Sequence, residues 1–337
     1  MEAYLYESAE NQQVKCNLCN HRCVIKAGRR GICNVRENQE GTLKTLVYGR
    51  LISQAVDPIE KKPLYHFYPG SLSYSVATVG CNFRCRFCQN ADIAQMPFEQ
   101  KGLIMGNYCT PEEVVNQTAR AGCQSISYTY TEPTVYFEFA FETAKLASTK
   151  GIQNIFVTNG YMTAEALNMI NPYLDAANVD LKAFNEDFYK TYCSAKLKHV
   201  KESLILMKSL GIFIEVTTLL IPGLNDDKKE LEDLAAFLAN ALGSETPWHI
   251  SRFHPTYKLT DRSHTPVASL HAAREIGIKA GLKYVYLGNV PGAGGEKTFC
   301  YQCKNTLIDR RGFHMRENQV KDSQCTHCGA QIHGVGL

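Results

Sequence analysis

Short apolar runs alternate with longer amphipathic stretches from Ser71 onward. The apolar runs are rich in β-branched residues and predict strands at Leu72–Val79, Ser125–Tyr130, Ile155–Thr158, Ala177–Leu181, Phe213–Leu220, Trp248–Phe253 and Tyr284–Leu287. The stretches between them predict helices at Thr110–Ala121, Val135–Lys150, Thr163–Asn171, Glu202–Leu210, Lys228–Leu242 and Val267–Ala280. The first helix has a clear start, because Thr110 is a favourable N-cap residue and Pro111 suits the first helical position.

Strands that alternate with helices predict βαβ units and a parallel sheet. Such crossovers are right-handed, so successive units curl in the same direction. The pattern gives six or seven units, fewer than the eight of a complete barrel. The sequence therefore predicts an α/β fold with a partial, (β/α)6-like TIM-type barrel at residues 71–290. A cysteine-rich segment and lead-in would occupy residues 1–70, and a four-cysteine module residues 291–337.

The overall composition is that of an ordinary globular protein, with 45% hydrophobic and 20% charged residues in a chain of 337. The net charge of +3 is too small to indicate nucleic-acid binding. We find no signal-peptide pattern and no apolar run long enough to cross a bilayer. Eleven of the fourteen cysteines fall into three tight groups, which favours metal sites over a secreted disulfide framework. We expect a cytoplasmic protein with no membrane or nucleic-acid partner.

The segment Gly80–Asn90, GCNFRCRFCQN, follows the first predicted barrel strand and holds Cys81, Cys85 and Cys88 in C-x3-C-x2-C spacing. Thiolates are the ligands that iron–sulfur clusters take, and a complete cubane normally has four of them. Three thiolates without a fourth nearby leave one iron open to a small molecule, as in catalytic zinc sites with an open position. Zinc motifs favour C-x2-C pairs, so this spacing is a poor zinc pattern. The segment therefore predicts a [4Fe–4S] cluster that is both a metal site and a catalytic centre.

This motif resembles the signature of the radical S-adenosylmethionine (SAM) superfamily, C-x3-C-x-aromatic-C, with Phe87 at the aromatic position. The resemblance implies that SAM binds the open iron through its amino and carboxylate groups. It also implies that the reduced cluster passes one electron to the sulfonium, which releases a 5′-deoxyadenosyl radical, and that Phe87 lies near the adenine. A partial barrel is the usual core of this superfamily.

Polar side chains follow several of the predicted strands, at the edge where ligands of parallel α/β folds bind. Glu132 is a candidate partner for the ammonium group of SAM, because a carboxylate suits that charge. Its segment is similar to the Gly-Gly-Glu of radical SAM proteins, although both glycines are absent.

Other strand ends resemble the activating enzymes of glycyl-radical enzymes. Asp180 and Lys182 are similar to their Asp-x-Lys pair, in which the Lys points to the SAM carboxylate. Thr158 and Asn159 match their Thr-Asn-Gly, and His254 falls where they place a histidine near the adenine. The resemblance implies that all these residues bind SAM.

Several segments taken together resemble one particular family within the radical SAM superfamily. CNLCNHRC…GICNVREN, CNFRCRFCQN, YTYTEPT, VDLKAF and TTLLIPGLND are similar to the radical SAM member of the AmmeMemoRadiSam system. That family is itself similar to pyruvate formate-lyase activating enzymes. The similarity extends from about Lys15 to the carboxyl end.

Two further cysteine groups flank the barrel. Cys16, Cys19, Cys23 and Cys33 can close around one metal, and the spacing leaves zinc and an auxiliary iron–sulfur cluster both open. Cys300, Cys303, Cys325 and Cys328 form two C-x2-C pairs, typical of a zinc ribbon or a rubredoxin-like iron site. A glycine-rich linker, Gly288–Gly295, precedes the second group.

Charged residues outside these motifs are predicted to lie at the surface. Lys61, Lys62 and His66 belong to the lead-in before the barrel, where a solvent-exposed position is favoured over substrate contact. In the carboxyl-terminal module, Arg310, Arg311, His314 and Arg316 predict a basic surface.

The leading functional hypothesis is a radical SAM oxidoreductase that abstracts a hydrogen atom with the 5′-deoxyadenosyl radical. Its substrate would be a glycyl residue of a partner protein, as in activating enzymes, or alternatively a small molecule or protein side chain. A one-electron reductant of the flavodoxin or ferredoxin type is the expected redox partner. The non-enzymatic alternative is a zinc-rich scaffold protein, which predicts zinc at all three cysteine groups and no SAM cleavage.

Overall fold

The structure is a computed structural model that describes residues 1–290, 292 and 294–337. In the described chain the strands are β1 Tyr6–Ser8, β2 Val14–Cys16, β3 Val24–Ile25, β4 Arg36–Gln39, β5 Thr42–Thr45, β6 Arg50–Leu51, β7 Ser53–Pro58, β8 Leu72–Ala77, β9 Asn107–Tyr108, β10 Ser125–Tyr128, β11 Gln153–Thr158, β12 Ala176–Asp180, β13 Phe213–Leu220, β14 Trp248–Arg252, β15 Val285–Gly288, β16 Thr298–Phe299, β17 Thr306–Arg311, β18 His314–Asn318, β19 Val320–Lys321 and β20 Gln324–Cys325. The α-helices are α1 Ala91–Ala94, α2 Met96–Glu99, α3 Pro111–Arg120, α4 Phe137–Ser148, α5 Ala164–Ile170, α6 Glu186–Phe188, α7 Leu197–Ser209, α8 Lys228–Phe237 and α9 Val267–Lys279.

A central sheet carries the fold. Its parallel strands follow the order β8-β10-β11-β12-β13-β14-β15, and β7 pairs with β8 in the antiparallel direction. The edge strands β7 and β15 do not pair with each other in the described structure, so the barrel is open. The predicted α/β fold with a partial parallel barrel is confirmed.

The barrel strands are apolar because both of their faces are covered, as is usual in parallel sheets. All four residues of β10 are buried, and so are the first four of β12. Helix α3 begins as its sequence predicts: the Thr110 hydroxyl accepts from the backbone N–H of Glu113, and the Glu113 carboxylate accepts from the N–H of Thr110. The segment predicted as one helix from Val135 instead starts with a 3-10 turn, Pro133–Tyr136, before α4.

Smaller sheets flank the barrel at both ends of the chain. The antiparallel sheet β1-β2-β3 and the hairpin β4-β5 form the amino-terminal part, and the sheet β16-β17-β18 with the hairpin β19-β20 forms the carboxyl-terminal part. The division into parts at residues 70 and 291 stays a prediction, and β7 pairs with β8 across the first boundary. Residues 291 and 293 lie outside the described residues. Both belong to the predicted Gly288–Gly295 linker, and residue 291 is also the predicted start of the carboxyl-terminal module.

Buried ion pairs attach both flanking parts to the rest of the chain. The Arg36 guanidinium donates to both carboxylate oxygens of Glu138 in α4, at 2.5 and 2.6 Å. Arg310 in β17 lies 3.3 Å from the carboxylate of Glu60, and both side chains are fully buried. Removing one partner of such a pair leaves an uncompensated buried charge and typically costs about 3–5 kcal/mol. Arg310, predicted at the surface, therefore holds the carboxyl-terminal part in place.

Candidate active site

A large cavity, open to solvent, lies at the carboxyl ends of the barrel strands. The structure brings most of the predicted barrel site residues together around it: Cys81, Cys85, Cys88, Phe87, Glu132, Thr158, Asn159, Asp180 and Lys182. His254 is not among the lining residues in the described structure; it is exposed, with its ring 6.4 Å from that of His264. The roles of these residues in binding remain predictions.

The cysteine loop leaves the barrel directly after β8 and turns at Gly80. Gly80 has a φ of 102°, and a Cβ there would lie 2.6 Å from the Val35 side chain, so the close approach of the two segments requires glycine. Beyond the turn, the Cys81 sulfur accepts from the backbone N–H of Phe83 at 3.4 Å and from the Asn159 amide at 3.8 Å. The loop and the Asn159 side chain after β11 therefore each supply one N–H donor to a thiolate at this position.

Burial keeps the thiols of this loop protonated in the absence of metal. It raises the pKa of Cys88 to about 12 and that of Cys81 well above its usual value. The pKa of Cys85 is also raised, first by the neighbouring thiol of Cys193 and then by burial. Cys193 stands alone in the sequence, and no local pattern indicates that it lies beside the cluster loop. Metal binding must displace the protons of these thiols, so metal affinity will rise with pH.

Glu132 joins the ends of two adjacent barrel strands. Its buried carboxylate accepts from the Thr158 hydroxyl at 2.7 Å, from the Asn159 backbone N–H at 2.8 Å, and from the hydroxyl and N–H of Thr134. Burial raises the pKa of Glu132, and these hydrogen bonds partly oppose the shift. The carboxylate thus holds the Thr-Asn segment in position beside the Cys81 sulfur.

Asp180 and Lys182 form a second polar group in the cavity wall. The Lys182 ammonium donates to the Asp180 carboxylate at 2.8 Å and lies 5.9 Å from the centre of the Phe87 ring. Burial acts to lower the pKa of Lys182, but the negative charge of Asp180 and the hydrogen bond to it raise the pKa well above its usual value. The side chain is therefore a permanent cation beside the aromatic residue of the cysteine motif.

A further polar cluster lines the cavity on the side of β7. The Asp57 carboxylate accepts from the ammonium groups of Lys61 and Lys62, at 2.7 and 2.6 Å, and from the hydroxyl of Tyr130. Lys62 is only 2% exposed, so its predicted surface position is wrong. Burial lowers the pKa of Lys62 to about 8, although the Asp57 carboxylate opposes the shift. No local pattern in the sequence indicates this cluster, because β7 reaches the barrel edge only through its pairing with β8.

The carboxyl-terminal cysteines converge on one point. The sulfurs of Cys300 and Cys328 lie 3.6 Å apart and those of Cys303 and Cys325 lie 3.7 Å apart, and all four fall within 4.8 Å of one another. Tetrahedral zinc with Zn–S bonds of about 2.3 Å requires sulfurs about 3.8 Å apart. The group therefore fits a single metal ion. The amino-terminal cysteines line a different cavity, near the Cys81 loop.

The family model described as the radical SAM superfamily matches residues 75–238. An uncharacterized protein of Methanocaldococcus jannaschii is 47% identical over 98% of this chain and 98% of its own length. The pyruvate formate-lyase-activating enzyme of Clostridium pasteurianum is 23% identical over 54% of this chain and 80% of its own.

Among solved structures, a radical SAM methyltransferase from Sphaerobacter thermophilus matches with a TM-score of 0.52 at 18% identity, over 66% of this chain and 67% of its own. At that identity the match supports the fold alone. No helix in the described part of the chain is long and apolar enough to cross a membrane. The family model, the archaeal relative and the three-cysteine loop at the barrel edge agree, and the chain belongs to the radical SAM superfamily.

Proposed function

We propose that this radical SAM enzyme activates a partner protein by abstracting a hydrogen atom from one of its glycyl residues. The class of chemistry follows from the family: the enzyme cleaves SAM reductively and generates a radical. The substrate is the proposed part. The observation that carries the proposal is the Asp180–Lys182 pair beside the cluster loop, which resembles the Asp-x-Lys of activating enzymes. The similarity to the pyruvate formate-lyase-activating enzyme of Clostridium pasteurianum also supports it.

The cavity fits the cofactors that the family implies. Three cysteines lie among its lining residues, and the amide donors of Phe83 and Asn159 reach the Cys81 sulfur. When bound to these thiolates, a [4Fe–4S] cluster supplies the single electron that cleaves SAM to methionine and a 5′-deoxyadenosyl radical. A donor set of three leaves one iron for SAM, so the residues present suit this cofactor.

The chain's own residues would bind and orient SAM. Lys182 would pair with the SAM carboxylate. Glu132 would accept a hydrogen bond from the SAM ammonium group at Oε2, the carboxylate oxygen that accepts only from the Asn159 N–H in the described structure. Phe87 would lie against the adenine. The remaining cavity is large enough to take a substrate segment beside SAM, and Phe313 of the carboxyl-terminal part borders it.

We further propose the finer assignments. The chain would be the radical SAM member of the AmmeMemoRadiSam system, supported by the five sequence segments that resemble that family. Zinc would occupy the carboxyl-terminal cysteines, supported by their sulfur spacing. The reductant would be a flavodoxin- or ferredoxin-type protein. A cytoplasmic location is supported by the grouped, metal-binding use of cysteine.

The test uses isotope transfer. A candidate partner protein is labelled with α-deuterated glycine and incubated without oxygen with the reconstituted enzyme, SAM and dithionite. Deuterium in the 5′-deoxyadenosine, with a glycyl radical detected by electron paramagnetic resonance (EPR), supports the proposal. A partner labelled with α-deuterated alanine is the matched control.

The alternative substrate is a small molecule or another side chain. It predicts unlabelled 5′-deoxyadenosine, no glycyl radical, and a modified product in solution or in the partner. That result would replace the proposed substrate but not the SAM cleavage itself.

A further inference from the structure

All four amino-terminal cysteines line one cavity. Cys16 ends strand β2. The other three lie outside the strands: Cys19 and Cys23 between β2 and β3, and Cys33 between β3 and β4. The wall between them is largely apolar and includes Leu18 and Ile25. Four thiols around one apolar cavity can serve as a closed set of ligands for a metal centre.

The spacing of these sulfurs differs from that of the carboxyl-terminal group. The sulfurs of the four carboxyl-terminal cysteines all lie within 4.8 Å of one another. Among the described residues, the sulfurs of the four amino-terminal cysteines do not all lie within that distance of one another. A single tetrahedral ion holds four sulfurs about 3.8 Å apart. A cubane is wider than one ion and keeps its four thiolates further apart around a central volume. The cavity between the amino-terminal thiols therefore suits a cluster better than zinc.

Two buried N–H donors at this cavity have no partner in the described structure: Arg36 Nε and Asn82 Nδ2. Both residues line the cavity, and each is 1% exposed. The terminal nitrogens of Arg36 are engaged by Glu138, and the Asn82 side-chain oxygen accepts from Asn159 at 2.7 Å. Buried donors are nearly always paired, and the sulfurs of an iron–sulfur cluster accept such hydrogen bonds.

We propose that Cys16, Cys19, Cys23 and Cys33 hold a second [4Fe–4S] cluster in which every iron has a protein ligand. The arrangement carries this assignment through three independent features: four thiols on one cavity, sulfurs too dispersed for one ion, and two free donors at its wall. A closed cluster cannot bind SAM, because no iron is open. Its chemistry is electron transfer.

The position of the cavity suits that role. Asn82 lines it, and the preceding residue, Cys81, lines the SAM cavity. His21, also in the wall, lies with its Nε2 2.8 Å from the Asn82 carbonyl oxygen, and the Arg84 guanidinium donates to the Ile32 carbonyl oxygen. The second cluster would thus contact the loop that holds the first.

As an electron carrier, the second cluster would accept one electron from a one-electron-donating redox protein and pass one electron to the cluster at Cys81. It returns to its starting oxidation state, and the donor is oxidised by one electron. This use of the cluster rests on the proposed SAM cleavage, whereas its existence does not.

The first experiment separates the two clusters. The triple variant Cys81→Ala/Cys85→Ala/Cys88→Ala is reconstituted without oxygen using iron and sulfide, and is measured by Mössbauer spectroscopy and metal analysis. We expect one [4Fe–4S] cluster, about four irons per chain, with an EPR signal that does not change when SAM is added. Zinc at the amino-terminal cysteines, or no iron in the folded variant, would overturn the assignment. SAM cleavage is not measured, so this outcome is independent of the enzyme's substrate.

A second measurement needs no variant. X-ray absorption at the iron edge of the reconstituted wild-type protein detects the short iron–iron distances of a cluster. At the zinc edge it gives the number of sulfur ligands on zinc, and metal analysis gives the amount of each metal. One zinc per chain, at the carboxyl-terminal site, together with about eight irons supports two clusters. Two zinc ions with about four irons would overturn the proposal.

The last comparison addresses electron transfer. The double variant Cys19→Ala/Cys23→Ala is compared with Cys109→Ala, which removes a buried thiol outside the group. The measured quantity is the rate of SAM cleavage with a ferredoxin-type donor divided by the rate with dithionite. We expect this ratio to fall severalfold in the double variant and to stay unchanged in the control. An unchanged ratio in the double variant, once its iron loss has been verified, would exclude the carrier role.

Discussion

The Nε2 atom of His21 lies 2.8 Å from the carbonyl oxygen of Asn82, which ties the amino-terminal cysteine segment to the loop of the SAM site. Burial lowers the pKa of His21, so the ring is neutral at pH 7 and donates through Nε2–H. The ring also packs against Tyr161, with centroids 4.9 Å apart. This side chain, together with the Arg84–Ile32 hydrogen bond, therefore connects one cysteine group to the other.

Replacing this ring tests the connection. His21→Phe keeps an aromatic ring but removes the donor, which leaves the Asn82 carbonyl unpaired. We expect a loss of about 1 kcal/mol in the free energy of unfolding, measured by denaturant titration. His271→Phe, at an exposed position of α9, is the control and should change stability by less than about 0.5 kcal/mol. Equal effects of the two changes would mean that the contact contributes nothing.

The Asp180–Lys182 pair makes a prediction about cofactor binding. Lys182→Met removes the cation that we assign to the SAM carboxylate, while retaining much of the apolar stem. A hydrogen bond to a charged group contributes about 1.5–3 kcal/mol, so the dissociation constant of SAM should rise about 10- to 100-fold. Equilibrium binding to the reconstituted protein measures it. Lys198→Met changes a lysine that is 71% exposed and should bind SAM normally. An unchanged constant in Lys182→Met would remove Lys182 from the SAM site.

The carboxyl-terminal cysteines predict a metal that stabilises the fold. Cys300 is fully buried, and Cys300→Ala removes one of four converging sulfurs. We expect loss of one zinc per chain and a lower thermal midpoint, because the short strands of this part have little core without the metal. SAM cleavage in the absence of substrate should persist if the metal is structural. Full zinc content in the variant would show that Cys300 is not a ligand.

Local patterns in the sequence predict the barrel and most of its site. Strand β13 has the predicted bounds, Phe213–Leu220, and the polar residues after the strands meet at one cavity because parallel strands end at the same edge. Thr158 and Asn159 could be located in this way, and their contact with Glu132 follows from the adjacency of β10 and β11.

Burial of titratable side chains is the part of the structure that the sequence does not predict. Lys62, His66 and Arg310 look like surface residues in the sequence, yet each is at most 2% exposed. A charged side chain is buried only where an oppositely charged or hydrogen-bonding partner compensates it. For Arg310 that partner is Glu60, 250 positions away in the sequence. No local pattern reports a pairing at that separation. The same reason explains why the sequence left the amino-terminal metal open: the spread of the four sulfurs depends on how the segment packs on the barrel.

His66 shows what such a residue does to stability. Its Nδ1 lies 2.6 Å from the His333 carbonyl oxygen and its Nε2 2.6 Å from the Tyr286 hydroxyl, so a neutral ring satisfies both contacts. Burial lowers its pKa to about 4; the Glu215 carboxylate and the His333 carbonyl oppose the shift, and Arg310 and His249 add to it. The folded-state pKa is thus below the ordinary value of about 6.5. A histidine of this kind contributes stability that is complete above pH 6.5 and is lost as the pH falls towards 4.

Comparing wild type with His66→Gln isolates this contribution. Between pH 7 and pH 5 the wild-type free energy of unfolding should fall by about 2 kcal/mol more than that of the variant, because the variant has no ring to protonate. Denaturant titrations at the two pH values measure the difference. Protonation of the metal-binding thiols affects both proteins equally and cancels. His271→Gln, an exposed control, should keep the wild-type pH dependence. A variant whose stability falls as steeply as that of the wild type would mean that His66 is already protonated in the folded protein at pH 5.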